Sequence, residues 1–184
     1  MLKKKQRKLI QHLEHSFELQ DYNTFLEETA PLIGYIVQSF NSLEQSLNNA
    51  ICKFLSDRSD EKGLLVLHNM PYSSKVDLFA RFSKSLHTAT ETSQENLIEL
   101  IKNLKESARL RNAVVHADWE NTDYEGYTFV KIKSELDGLH QEYYQFTVAA
   151  LNKIDKFLDK TEKELWAYED EKDNIQYGNT QNNS

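Results

Sequence analysis

Six consecutive residues, Arg111-Asn112-Ala113-Val114-Val115-His116, hold the side chains best suited to chemistry. A guanidinium presents a planar fork of N–H donors that matches carboxylates and phosphates. An imidazole gives and takes protons near neutral pH. The position of the group matters as much as its composition. Projected at about 100° per residue, Leu97, Leu100, Ile101, Leu104, Ala108 and Val115 fall in one arc, and Arg111 and Asn112 fall inside it. Lys102, Glu106 and Arg109 fall outside, as solvated charges do.

A guanidinium on a core-facing arc needs a partner, because burying it alone is costly. That partner is a carboxylate, a subunit interface or a phosphate. Glu44 is the carboxylate candidate, since it lies within the apolar arc of an earlier helix. On that reading Arg111 only ties helices together. Asn112 and His116 are four apart and share a helical face. Arg111 and His116 would aim about 140° apart on a continuous helix. They can serve one pocket if the helix ends near His116, or if the pocket lies between helices or subunits.

The elements that must position these residues are read from apolar spacing. A basic amphipathic helix is predicted over 1–20, with Leu2, Leu9, Leu13 and Phe17 on one face and five cations crowding its start. A second helix is predicted from Thr29 to Leu55, with Pro31 in its first turn and Leu32, Ile36, Phe40, Leu43, Leu47, Ile51 and Phe54 facing the core. A short helix over 60–69, a third beginning at Ser73 or Ser74 and a fourth beginning near Ser93 follow. Residues 121–126 read as a turn, 127–133 as a short strand or extended loop, and 137–168 as the last long helix. The sum is an all-α helical bundle with a short extended or hairpin insertion before the last helix. It forms a single domain over 1–172 with its core at about 29–168, followed by a disordered tail over 173–184.

The bulk composition agrees with one helical domain. The 184 residues include only five Gly and two Pro, which favours long helices. Cys52 stands alone, so a reducing, cytoplasmic setting is expected, and no membrane-spanning segment is found. A net charge of −7 argues against broad coating of nucleic acid while leaving room for a local basic site. Lys131 and Lys133, beside Tyr124, Tyr127 and Phe129, form such a candidate for single-stranded RNA, with packing against the bundle as the alternative. His12 and His15 share a helical face in this reading but lack a third ligand, so no metal and no cofactor are expected.

At RNAVVH the chain resembles the HEPN superfamily of helical nucleotide-binding domains. Its members carry an arginine, a polar residue and then a histidine late in a core helix. The resemblance implies a metal-independent endoribonuclease, often a toxin or antiviral defence effector, in which a homodimer gathers two motifs around one RNA. It implies catalytic roles for Arg111, Asn112 and His116 and an antitoxin or defence-system protein as a possible partner. Glu44 and Asp118 are candidates for supporting roles. Asp118 stands where members silenced by tyrosine modification carry a tyrosine, so the resemblance does not extend to that control. The alternative is a non-catalytic HEPN-like module that binds RNA or a protein.

Overall fold

The computed structural model describes residues 2–12, 22–56 and 59–178. The order of elements is β1 (Lys4–Lys8), α1 (Tyr22–Leu55), α2 (Glu61–Leu67), α3 (Tyr72–Thr90), α4 (Glu95–Val115), β2 (Asp118–Thr122), β3 (Tyr127–Glu135), β4 (Gly138–Gln145) and α5 (Val148–Gly178). The strands form one antiparallel sheet in the order β1-β4-β3-β2. The fold is therefore mixed α/β, which corrects the all-α expectation.

Two strands account for that correction. The basic start reads as a helix by apolar spacing, yet Lys4–Lys8 pairs residue for residue with β4. An open edge of β4 offers backbone partners that a short, like-charged helix start cannot match. Residues 13–21 of the expected helix lie outside the described residues. The second strand is β4, which occupies the expected start of the last helix. Gly138 takes φ +130°, a conformation that breaks a helix there, and Tyr143, Tyr144 and Phe146 favour a pleated surface. Tyr144 is buried from this strand. The last helix starts at Val148 and continues to Gly178, past the expected tail boundary, while 179–184 lie outside the described residues.

The chain divides into two compact units, and α1, α4 and α5 contribute residues to both. One comprises Met1–Val37 and Leu110–Lys156 and carries the whole sheet. Its core includes Ile36, Val114, Tyr143, Tyr144, Phe146 and Leu151. The other comprises Gln38–Arg109 and Phe157–Ser184 and is helical. Leu43, Leu47, Ile51, Val76, Phe79, Leu97, Leu104, Leu158 and Leu165 fill its core.

In the helical unit a close approach between α1 and α2 depends on Gly63. A Cβ placed there would collide with Cys52 Sγ and lie 2.9 Å from Cys52 Cα. Backbone on one side leaves little room to yield. Gly63→Ala should therefore destabilise this unit by about 1–3 kcal/mol, despite alanine's better helix propensity. Urea denaturation of the two proteins measures this directly, and equal midpoints would show that the helices separate freely.

Candidate active site

The last turn of α4 belongs to the sheet-bearing unit. Leu110, Ala113 and Val114 are buried, Arg111 is half-buried, and Asn112 and His116 are exposed. The buried stripe of α4 thus runs through Leu97, Leu100, Leu104, Ser107, Leu110 and Val114. It is displaced from the predicted arc by the small polar residues Asn103 and Ser107, both buried. Asn103 donates to Glu164 and Ser107 to its own helix, which satisfies them there. Arg111 consequently flanks the core and Asn112 faces solvent.

The helix stops at Val115, but the His116 amide still donates to the Asn112 carbonyl at 3.1 Å. Helical geometry therefore carries to His116, and Asn112 and His116 share one face. Arg111 begins about 140° away from His116. Its side chain makes up part of that divergence by donating from Nη1 to Asn112 Oδ1 at 3.1 Å. The guanidinium is drawn toward the face that His116 occupies. Glu44 takes a different cation. Its Oε1 accepts from Lys75 Nζ at 2.6 Å inside the helical unit, where Lys75 is buried.

Asp118 opens β2, exposed and paired with Phe129. A β-bulge between Phe129 and Lys131 divides the expected RNA-binding residues between two faces of the sheet. Lys131 stands opposite Glu142 and shares its face with Lys133. Tyr127 stands opposite Gln145 on the other face, with Lys5 Nζ 5.3 Å from its ring centroid. Strand alternation also places Lys4 and Lys8 of β1 on the Glu142 face. The basic start is thus built into the sheet, not held out as an arm.

Sequence reasoning missed the centre of that face. Glu142 is almost fully buried, and Lys133 pairs with it while Lys131 Nζ lies 3.8 Å away. Gln6 Nε2 donates to it at 3.4 Å. Burial pushes the Glu142 carboxyl up, but hydrogen bonds from Lys133 and Tyr144 and the charges of Lys133 and Lys4 outweigh that effect and hold it at about 2. Glu142 precedes the pair Tyr143-Tyr144 in a segment that the apolar spacing assigns to the last helix, so the sequence carried no signal for this site. Trp119 was also overlooked, although its indole N–H donates to the Val114 carbonyl at 3.1 Å.

Among the described residues no group of three or more His, Cys, Asp or Glu gathers as a metal site. No described helix is long and apolar enough to cross a membrane. An open cleft of about 240 Å3 in the helical unit is lined by Asn96, Glu99, Leu100, Glu164, Ala167, Tyr168 and Glu171, none of which belongs to the motif. Comparison with family models, curated proteins and solved structures finds no match to this chain.

The Glu142 cluster has a pH signature. A carboxyl whose folded value is depressed contributes stability above its unfolded value and loses it as pH falls toward the folded one. The loss should spread from about pH 4.5 down to about 2. Glu142→Gln should flatten the acid limb of the melting curve over that window while leaving it unchanged in shape above pH 6. An identical acid limb in the two proteins would show that the lysines do not stabilise the ionised carboxylate.

Proposed function

We propose that this chain is a metal-independent endoribonuclease of HEPN type, with Arg111, Asn112 and His116 as its catalytic residues. One observation carries the reading: Arg111 reaches across to Asn112 on the face that ends in an exposed His116, while Glu44 is engaged by Lys75. Lys75 is the cation seen on Glu44. The family reading rests on the six motif residues. The sheet lies outside what the resemblance implied.

In this reaction a ribose 2′-oxygen attacks the adjacent phosphorus and the bond to the 5′-oxygen breaks. The products end in a 2′,3′-cyclic phosphate and a 5′-hydroxyl. One imidazole accepts the 2′-hydroxyl proton and a second protonates the leaving oxygen. Arg111 stabilises the charge that develops on the phosphorane, and Asn112 holds the guanidinium in place. A single His116 per chain calls for a second copy, so the active form is a homodimer with two motifs at one cleft. Lys131, with its side chain 53% exposed, and the partly exposed Lys133 contact the RNA backbone in this scheme. A toxin or antiviral defence setting, with an antitoxin or other protein partner, follows from the same resemblance.

The motif is tested by variants that fold. His116→Ala and Arg111→Ala should each lower the single-turnover rate by roughly 10²–10³ while melting like the parent and binding RNA. Arg111→Lys keeps the charge but loses the planar fork, so it should recover only part of the rate. Asn112→Ala should fall between them. Cleavage at the parental rate by His116→Ala would overturn the assignment. The parent should also sediment as a dimer at micromolar concentration or dimerise on RNA, and a persistent monomer would remove the second proton-transfer group.

A further inference from the structure

The His116 imidazole makes no hydrogen bond that is found among the described residues, although the chemistry proposed for it requires a fixed direction. Its placement must therefore come from the backbone on either side. On one side lies Val114, in the last turn of α4, where carbonyls lack intrahelical donors. Val114 is fully buried, so a carbonyl left without a donor there would be costly. Trp119 supplies that donor through Nε1 at 3.1 Å.

The indole itself is held. Its ring centroid lies 5.1 Å from that of Phe146, which is fully buried, and 6.3 Å from that of Phe25 on α1. Its backbone carbonyl accepts from Thr122 Oγ1 at 2.8 Å. The turn 115–118 is thus clamped at both ends, and His116 stands within it. Only tryptophan combines a ring large enough to reach two aromatic neighbours with a ring N–H for the carbonyl.

We infer that Trp119 is a positioning residue, whose indole N–H on the Val114 carbonyl fixes the end of α4 and with it the direction of His116. The inference rests on the reading of His116 as a proton-transfer group. Trp119 touches no reacting atom in this account. It acts through the backbone of its neighbour.

Trp119→Phe keeps an aromatic ring and removes the N–H. The expected result is a protein whose His116 ring signals shift and broaden in NMR spectra and whose RNA affinity is unchanged. Its single-turnover cleavage rate should fall roughly tenfold to hundredfold, as misplacement of a catalytic group does. Where the smaller ring impairs folding, replacing the Trp119 indole with a benzothiophene removes the donor and keeps the shape, with the same expectations. His116 signals identical to the parent's, or a change in affinity with no change in rate, would overturn the inference. If the parent itself cuts no RNA, the nuclease reading falls, and the NMR comparison alone still decides whether Trp119 orients His116.

Discussion

The carbonyl of Val114 must find a donor away from water, and that need ties the helical motif to the sheet. Trp119 meets it from the first strand that follows α4. The same residue packs on Phe146, immediately after β4, and on Phe25 of α1. One indole therefore connects the end of α4 with the aromatic core of the sheet-bearing unit. Without the sheet there would be no Trp119 at this distance, and the turn carrying His116 would have only its own helix to hold it.

The catalytic proposal depends on a second local feature. A helix separates Arg111 from His116 by an angle that would normally keep them apart. Asn112 bridges that gap from the intermediate position, because it shares a face with His116 and accepts from the guanidinium. The type of residue directly after the arginine is therefore as informative as the arginine. Phosphoryl chemistry without a metal needs a preorganised cation, and the Asn112 carboxamide helps to orient the guanidinium.

Much of the helical part was legible in the sequence. The positions Ile36, Phe40, Leu43, Leu47 and Ile51 recur with helical spacing and are buried as that spacing requires. The segment 127–133, read as a short strand or extended loop, forms most of β3, Tyr127–Glu135. The remaining sheet was illegible for identifiable reasons. Lys4–Lys8 has no alternation of its own and becomes a strand only because β4 offers an edge. The segment Gly138–Gln145 carries a helix-like spacing that its tyrosines and the left-handed Gly138 override. For the site, the sequence singled out Arg111, Asn112 and His116 by type but placed two of them too deep in the core. Buried Ser107, satisfied within its own helix, turned that face toward Leu110 and Val114. The bulge at Phe129/Lys131, which parts Tyr127 from the lysines, leaves no mark that alternation alone can read.

The central claim is metal-independent cleavage of RNA by this motif. The most direct measurement incubates the purified full chain with total RNA in excess EDTA and determines the chemistry of the new ends. The account predicts cleavage that leaves 2′,3′-cyclic phosphate and 5′-hydroxyl ends. Intact RNA under these conditions, or cleavage that appears only with added divalent metal and leaves 5′-phosphates, would contradict it.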